Sequence, residues 1–315
     1  MSVERPLVVV GPTASGKSGV ALEVARRRRS AGRPVELVSC DSMAVYRGMD
    51  VGTAAPSAAV RAEVPHHLLD VVDPEQEYSV SEFAPAAAAV LDDLARRRVA
   101  AVLVGGTGLY VRAVTDQLEV PPRYEEVAAE LEAEPDTGVL FERLRHLDPI
   151  AASRIPPGNR RRVVRALEVT IGSGRPFSSA GPGLRAYPST RFVMVGLSVP
   201  RDVLAARIRA RLDAQLDAGM LDEVRALLDS PDGPSRTARE ALGYRELLAH
   251  LRGELSRDEA VELTVLRTRR FAVRQERWFR RDPRIVWFDA ADVDPADLAR
   301  RVDAHWDEVA SADRG

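Results

Sequence analysis

The sequence predicts an α/β fold with a doubly wound parallel sheet and an inserted helical domain. Short apolar segments alternate with helical segments in the first third of the chain, a pattern typical of βαβ units. The first apolar segment leads directly into the motif G-x-x-x-x-G-K-S at 11–18, and helical spacing follows it. No convincing strand pattern occurs from 121 to 185, and strand-like segments then return. We therefore expect a P-loop-type core of 1–117 and 188–315, ending in helices, with a helical insertion at 118–187.

The composition is that of an ordinary globular chain. Of its 315 residues, 45% are hydrophobic and 29% are charged, and the formal net charge is −2, so any basic surface must be local. The single cysteine excludes a disulfide framework and a cysteine-based zinc site. No apolar segment approaches a membrane span and no signal-peptide pattern is present, so we expect a cytoplasmic protein.

Strands and helices are expected in order along the core. Strands are predicted at 6–10, 34–40, 66–74 and 100–104, with one helix running to Arg29 and another at 81–98 that has Ser79 or Ser81 as its N-cap. In the insertion we expect helices at 125–134, 139–147, from 148 onward and at 160–171. Beyond it, strands are predicted at 191–197 and 285–288, and helices at 201–228, 238–251, 257–281 and from 295.

The motif at 11–18 is typical of a phosphate-binding loop in its required setting of strand, loop and helix. Gly11 and Gly16 permit backbone angles that let successive N–H groups point at one anion. The following helix adds its positive N-terminal end. Lys17, the only lysine in the chain, adds a mobile positive charge, and the Ser18 hydroxyl is placed to hold Mg²⁺. The motif indicates a polyphosphate ligand without specifying a nucleotide.

Two further residues follow strands at the carboxyl edge of the predicted sheet, where ligands bind in open α/β folds. Asp41 follows the second strand, and on position alone a magnesium ligand, a general base and a helix N-cap all remain open. Thr107 follows a strand that ends in Gly105-Gly106, where many NTPases place a magnesium-binding Asp. The machinery of a hydrolase is therefore not visible, although these glycines also fit a tight turn.

Arginines are arranged in three groups. Arg207 and Arg211 share a helix face, where a phosphate clamp is conceivable and a solvated basic stripe is the commoner explanation. Arg160–Arg162 and Arg165 begin a predicted helix, where positive charge is unfavourable unless an anionic partner binds there. The last group recurs at helical spacing, with Phe271 and Trp278 expected on the opposite face, and favours RNA or phosphate contact. Its members are Arg267, Arg270, Arg274, Arg277 and Arg281.

Taken together, the chain resembles the bacterial tRNA dimethylallyltransferases, also called tRNA isopentenyltransferases. The resemblance extends in order from about residue 6 to 290, and the series as a whole is highly specific. The segments that carry it are Gly11–Ser18, Asp41-Ser42, Tyr46–Ala54, Pro65–Asp70, Gly105–Tyr110, Arg165–Val169, Ala241–Tyr244, Arg274-Gln275 and Arg277–Phe279.

The resemblance implies an enzyme that transfers a dimethylallyl group from dimethylallyl diphosphate to tRNA, with Mg²⁺. The acceptor would be N6 of the adenosine at position 37, next to the anticodon, read in the anticodon stem-loop. Asp41 would take the N6 proton, Thr107 would lie near the bridging oxygen, and Lys17 and Arg211 would bind the diphosphate.

The donor loop would comprise Gly11, Pro12, Thr13, Ala14, Ser15, Gly16, Lys17 and Ser18. Contacts with tRNA would come from Asp41, Ser42, Met43, Ala44, Thr107, Arg161, Arg162, Val163, Val164, Arg165, Gly243, Tyr244 and Arg245. We expect a monomer that does not bind membranes.

The chain departs from the pattern of the family at two places. Ala44 stands where many relatives have glutamine, which removes one expected base contact. Ala128-Ala129-Glu130 stands where relatives often have arginines, and Arg123 is the nearby candidate to replace them. The lone cysteine excludes the zinc finger of eukaryotic relatives.

Other classes of function remain open at this stage. A small-molecule kinase would use ATP on the same loop, and a non-catalytic nucleotide-dependent protein would bind RNA without consuming a prenyl donor. A relative that modifies a free adenine nucleotide is a closer variant. The insertion and the arginine-rich helix favour tRNA.

Overall fold

The core is a six-stranded sheet in which every neighbouring pair of strands is parallel, so the predicted fold class is confirmed. The computed structural model describes residues 4–118, 120–180, 183–184 and 186–312. The strands are β1 (Leu7–Val10), β2 (Val35–Ser39), β3 (His66–His67), β4 (Ala100–Gly105), β5 (Val193–Ser198) and β6 (Val286–Asp289). Their order in the sheet is β3-β2-β4-β1-β5-β6. Four of them, β1, β2, β4 and β5, are almost fully buried, as expected when helices cover both faces of a parallel sheet.

The described residues fall into two compact units, one running up to Thr115 and from Ser189 onward, the other spanning Asp116–Pro188. In the first unit, the helices before residue 116 are α1 (Lys17–Ser30), α2 (Asp50–Thr53), α3 (Ala58–Glu63), α4 (Val80–Arg97) and α5 (Gly108–Thr115). The second unit contains α6 (Glu125–Ala133), α7 (Thr137–Leu147), α8 (Pro149–Arg154) and α9 (Arg160–Ser173). The first unit then continues with α10 (Arg201–Asp217), α11 (Met220–Leu228), α12 (Arg236–Arg239), α13 (Tyr244–Leu251), α14 (Arg257–Phe279) and α15 (Pro295–Ala312).

The sheet order brings three loops to one edge. Strand β4 pairs with β1 on one side, where Gly105 lies opposite Val10, and with β2 on the other, where Val104 lies opposite Ser39. The segments that follow these three strands are the phosphate loop, the Asp41 segment and the segment containing Thr107. Parallel strands end at the same edge, so all three segments meet there.

Three predicted elements are shorter than the sequence pattern indicated. The strand expected at 66–74 ends after His67, because Leu68 and Asp70 adopt positive φ angles of 60° and 52°. The helix expected at 201–228 is broken at Gly219, whose φ is 94°. The helix expected at 238–251 is broken at Gly243, whose φ is 88°. Glycine adopts this left-handed region without the steric penalty that other residues meet, so it interrupts a helix readily.

The helix that follows the phosphate loop is fixed to the C-terminal helix by a buried arginine. The side chain of Arg28 on α1 is 1% exposed and forms ion pairs with Glu4, Asp303 and Asp307. Its guanidinium group lies 3.4 Å from the centre of the Trp306 ring. Burying an arginine is tolerated when its charge is paired and its donors are satisfied, as they are here.

The second unit has an apolar core of its own, formed by α6, α7, α8 and α9. Leu131, Leu144, Val163 and Leu167 are almost fully buried in it. The described part of this unit contains helices and one 3₁₀ turn (Phe177–Ser179), and no strand.

No helix in the described ranges combines the length and the apolar character that crossing a membrane would require.

Candidate active site

The loop at 11–18 folds into a turn that leads into the N-terminus of α1. The N–H of Ser15 donates to the carbonyl of Pro12, and Gly16 takes a φ of 87° where the helix begins. A Cβ on Gly11 would lie 2.8 Å from Ser15 Oγ and 3.1 Å from the carbonyl oxygen of Leu197. Only glycine fits here without displacing its neighbours. Ser18 lies exposed in the first turn of the helix, where a hydroxyl is available to a ligand.

Lys17 is a buried cation that has no carboxylate within ion-pair distance among the described residues. It is 9% exposed, and its Nζ lies 3.4 Å from the carbonyl oxygen of Pro12. Burial lowers the pKa of Lys17 to about 8; Asp41 opposes this shift and Arg211 adds to it. An anion bound at the loop would supply negative charge and raise the pKa of Lys17 again.

Arg211 on α10 is the second cation at this place. Its Nη1 lies 3.5 Å from Thr13 Oγ1, and its Nη2 donates to the carbonyl of Thr53 at 3.1 Å. Burial lowers its pKa, with Asp41 again acting in the opposite direction. Arg207, one turn earlier, instead donates to the main-chain carbonyls of Ala290 and Ala291. The two arginines therefore have different roles, although they share a helix face.

Asp41 and Thr107 lie beside this cationic region, at the ends of β2 and β4. Asp41 Oδ1 accepts a hydrogen bond from the N–H of Met43 at 2.9 Å, and its other oxygen has no partner among the described residues. The N-cap alternative for Asp41 is wrong, because the next helix begins only at Asp50. Thr107 Oγ1 accepts from the N–H of Ser42 at 3.1 Å, and it also donates to Ser42 Oγ.

Asp41, Thr107 and Arg211 face a cavity of about 520 Å³ in the first unit, whereas Lys17 is not among its lining residues. Of the residues expected to act on the donor or to contact tRNA, those that line it are Thr13, Asp41, Ser42, Met43, Thr107, Arg211, Tyr244 and Arg245. Helix α14 supplies much of the remaining wall, through Thr264, Arg267, Thr268, Arg270, Phe271, Arg274 and Gln275. Ala44 and Gly243 are not among the lining residues, and the Ala44 side chain is buried.

Helix α14 presents three of its arginines and the Phe271 ring to the same cavity. Phe271, Arg270 and Arg274 all line it, and the Arg274 guanidinium lies 5.7 Å from the centre of the Phe271 ring. The prediction that Phe271 lies opposite the arginines is therefore wrong. Successive side chains on a helix point about 100° apart around its axis, so Arg270 and Phe271 can both border one wide cavity.

Tyr244 is buried rather than presented to solvent. Its hydroxyl donates to Glu223, whose carboxylate also accepts from the N–H groups of Val51 and Gly52 at the start of α2. A Cβ on Gly52 would lie 2.4 Å from the Tyr244 ring. Tyr244 therefore fixes α2, whose last residue, Thr53, accepts the hydrogen bond from Arg211.

The arginines of α9 lie in the second unit and divide into two pairs. Arg160 donates to main-chain carbonyls at the end of α6, and Arg165 pairs with Glu168 while donating to the carbonyls of Pro121 and Pro122. Arg161 and Arg162 are exposed, and within the described ranges their side chains make no hydrogen bond or ion pair. The two valines that follow, Val163 and Val164, are buried in the core of this unit.

Sequence reasoning missed several side chains that shape the cavity. Gln215 donates to the carbonyls of Val51 and Gly52, and Gln275 joins two loops of the site. Both come from helices far along the chain. The only signal in the sequence was Gln275 itself, which belongs to one of the segments shared with the family but carried no assigned role.

The fold and the site together define the class of protein. One edge of the parallel sheet carries a phosphate-binding loop, a buried lysine, a half-buried arginine, and an acid and a threonine that follow neighbouring strands. This is a P-loop-type α/β protein whose site is built for an anionic, phosphate-bearing ligand.

Comparison with known proteins then gives the family. The family model described as IPP transferase matches residues 44–282, and this chain belongs to that family. It is 50% identical over 303 residues to the tRNA dimethylallyltransferase of Kineococcus radiotolerans, covering 94% of this chain and 95% of the relative. It is 47% identical over 298 residues to the enzyme of the same name from a Nocardioides species, covering 93% and 94%.

Solved structures agree with this assignment. The full-length tRNA isopentenylpyrophosphate transferase of Bacillus halodurans superposes with a TM-score of 0.70 at 35% identity, covering 99% of this chain and all of that one. A eukaryotic dimethylallyltransferase acting on tRNA superposes with a TM-score of 0.76 at 25% identity, covering 92% of this chain and 74% of that one.

Proposed function

We propose that this protein transfers the dimethylallyl group of dimethylallyl diphosphate to N6 of adenosine 37 in tRNA and releases diphosphate. The observation that carries the proposal is the placement of Lys17 and Arg211 beside Asp41. Among the described residues, neither cation forms an ion pair with a carboxylate, and one oxygen of Asp41 makes no hydrogen bond. The names of the relatives and of the solved structures support the same reaction.

The two cations stabilise the leaving group, diphosphate. As the bond between the allylic carbon and the bridging oxygen breaks, negative charge accumulates on the diphosphate. The N–H groups of the phosphate loop, Lys17 and Arg211 lie fixed around this place before the donor binds, and preorganised charge of this kind is usually the largest contribution to catalysis. The Thr107 hydroxyl would turn its hydrogen from Ser42 Oγ to the bridging oxygen, while its oxygen still accepts from the N–H of Ser42.

Asp41 acts as the base for the acceptor, the N6 amine. The N6 amine is a weak nucleophile, so its proton must leave as the new bond between nitrogen and carbon forms. The second carboxylate oxygen of Asp41 accepts that proton, while the first remains bonded to the N–H of Met43. The bond to carbon then replaces the N–H bond, and diphosphate departs with the electron pair of the broken C–O bond.

A magnesium ion fits the residues at this place. The described ranges contain no group of three or more His, Cys, Asp or Glu side chains arranged to hold a metal. Mg²⁺ commonly keeps several waters and binds through one or two protein oxygens together with substrate phosphates. The exposed Ser18 hydroxyl would hold it, and the ion would neutralise charge on the diphosphate.

For tRNA we propose two contact regions, each within its own unit. In the second unit, Arg161 and Arg162 keep their guanidinium groups exposed, whereas Val163, Val164 and Arg165 are engaged in packing or internal bonds. In the first unit, Ser42, Met43 and Arg245 line the cavity, with Gly243 and Tyr244 fixing the segment before Arg245. The target base must leave its stack to reach Asp41, as in other enzymes that act on bases. We propose a monomeric enzyme that acts in the cytoplasm on the anticodon stem-loop.

The direct test is incubation with labelled dimethylallyl diphosphate and unmodified tRNA, followed by nucleoside analysis. We expect the label on N6 of the adenosine next to the anticodon, and none in a tRNA that carries guanosine there. Transfer of phosphate from ATP to a small molecule would contradict the proposal in favour of a kinase. Binding of tRNA without consumption of the donor would indicate a non-catalytic RNA-binding protein.

A further inference from the structure

A buried amide joins the two loops that face the donor. The Gln275 side chain, on α14, is 7% exposed. Its Oε1 accepts from the N–H of Thr13 at 2.8 Å, and its Nε2 donates to the carbonyl of Gly106 at 2.9 Å. One planar group therefore connects the phosphate loop to the residue directly before Thr107.

The partners leave no freedom in how this amide is oriented. The N–H of Thr13 can only donate and the carbonyl of Gly106 can only accept, so the oxygen and nitrogen of Gln275 have fixed positions. Among protein side chains, only those of Asn and Gln offer a donor and an acceptor on one rigid amide plane. The chemistry of the link is therefore specific to an amide, beyond its size.

The loop is shaped to receive this helix at two points. A Cβ on Gly106 would lie 2.3 Å from Gln275 Nε2, and a Cβ on Gly108 would lie 2.2 Å from the Trp278 ring. Gln275 and Trp278 are three residues apart and share a face of α14. Thr107, between the two glycines, is therefore placed by contacts that α14 makes on both sides of it.

The same link affects the phosphate loop. Gln275 accepts from the N–H of Thr13, and the hydroxyl of the same residue lies 3.5 Å from Arg211 Nη1. We propose that Gln275 is a positioning residue, which sets the distance between the diphosphate site and the Thr107 hydroxyl; this rests on the proposed function of that site. It touches no reacting atom and acts through Thr13 and Gly106.

Three variants test the proposal. Gln275→Met keeps the volume and loses both hydrogen bonds, and Gln275→Glu keeps the acceptor for Thr13 but sets a carboxylate oxygen against the Gly106 carbonyl. Phe279→Leu, in the core at the end of the same helix, is the control for loss of packing alone. We expect Gln275→Met to lower kcat by about 10- to 100-fold at saturating substrates, the effect of misplacing a reacting group by around an ångström. The tRNA KM should change by less than about threefold, and Phe279→Leu should keep its kcat per folded molecule.

The pH profile separates positioning from packing. In the Gln275→Glu variant, the protonated form of the new carboxyl group regains an O–H donor toward Gly106, and burial raises the pKa of a carboxyl group. The kcat of Gln275→Glu relative to the parent should therefore rise as the pH is lowered, whereas Gln275→Met should show no such recovery. A kcat within about threefold of the parent for Gln275→Met, or equal losses in Gln275→Met and Phe279→Leu, would overturn the proposal.

A binding measurement keeps this inference separate from the reaction itself. If the parent protein transfers no prenyl group, the proposed function has failed, and calorimetry with inorganic diphosphate still reports on the link. We expect Gln275→Met to weaken diphosphate binding by about three- to tenfold, the effect of one neutral hydrogen bond. An affinity within about twofold of the parent would contradict a role in ordering the loop.

Discussion

Two buried cations on the same helix, Arg28 and Lys17, have opposite surroundings. Arg28 is paired with three carboxylates and stacks on Trp306. In the described part of the chain, no carboxylate lies within ion-pair distance of Lys17, whose pKa is lowered to about 8. The first charge is neutralised by the fold, and the second remains to be neutralised by a ligand. The contrast indicates which buried charges stabilise the protein and which serve its function.

Exchanging each cation for methionine should separate stability from activity. Lys17→Met should reduce donor turnover by about 10²- to 10³-fold, the range for loss of one preorganised charge stabiliser. Its free energy of unfolding should be unchanged or higher, because an unpaired buried charge has been removed. Turnover at varied donor concentration, together with chemical denaturation, measures both quantities.

Arg28→Met is the matched variant at the other end of α1. Removing it leaves three carboxylates without their cation, and we expect a loss of about 3 kcal/mol, the low end for a buried pair because its acids are partly exposed. Activity per folded molecule should be retained. Normal donor use by Lys17→Met would contradict a role for Lys17 in binding the donor. An unchanged stability of Arg28→Met would contradict a stabilising role for Arg28.

Asp41→Asn tests the acid that lies beside the unpaired cations. The amide keeps the hydrogen bond to the N–H of Met43 but cannot take the N6 proton, so the chemical step should slow by about 10²- to 10⁴-fold. Binding of both substrates should change little. Single-turnover kinetics at saturating tRNA, at two Mg²⁺ concentrations, measures this step.

The two Mg²⁺ concentrations distinguish the remaining alternatives for Asp41. Partial rescue of Asp41→Asn by high Mg²⁺ would assign this side chain to the metal. A rate within a few-fold of the parent would exclude the base assignment.

The lowered pKa of Lys17 predicts how donor binding depends on pH. In the free protein, Lys17 loses its charge as the pH rises through about 8, so donor affinity should fall above that pH, by up to about tenfold per unit. In unfolded chains, lysine keeps its proton to a pH near 10.5, so between these values this group makes stability increase with pH. Donor affinity measured from about pH 7 to about pH 9.5 checks the prediction.

Lys17→Arg supplies the control for this profile. Its guanidinium group keeps its charge across the range, so any remaining affinity should not show the step near pH 8. A parent profile without that step would show that the lysine stays charged in the free protein.

The same contrast between paired and unpaired charges occurs within α9, where we expect substitutions to have smaller effects than at Lys17. Replacing Arg161 and Arg162 by alanine should reduce the salt dependence of tRNA binding by about 0.7 to 0.9 log–log units for each phosphate that the protein no longer neutralises. Arg165→Ala should chiefly destabilise the second unit, because Glu168 remains buried without its partner. Binding titrations at several salt concentrations measure the slopes. An unchanged slope would assign Arg161 and Arg162 to a solvated surface.

The sequence predicted those parts of the site that follow directly from a strand in the chain. The phosphate loop, Asp41 and Thr107 follow buried strands directly, and sheet order then brings them to one edge. Helix ends at Gly219 and Gly243 were missed, since a glycine inside an apolar repeat is compatible with both a continuous helix and a break.

Other features depend on tertiary contacts that spacing does not encode. Arg207 and Arg211 share one helix face, and only their neighbours show that one bonds carbonyls after β6 while the other reaches Thr13. The position of Gln275, 262 residues from Thr13, could not be deduced from any local pattern. The assignment of individual residues to tRNA contact stays a prediction.

The pairing of Arg28 with α15 has a consequence for synthesis of the chain. Chains emerge N-terminus first, and contacts between distant segments form late. Strand β1 meets β5 only after the whole insertion has been made, because Leu7 lies opposite Val193. The carboxylates of Asp303 and Asp307 arrive later still. The helix that carries Lys17 therefore leaves the ribosome with Arg28 incompletely neutralised, and we expect the donor site to become rigid only after α15 has been synthesised.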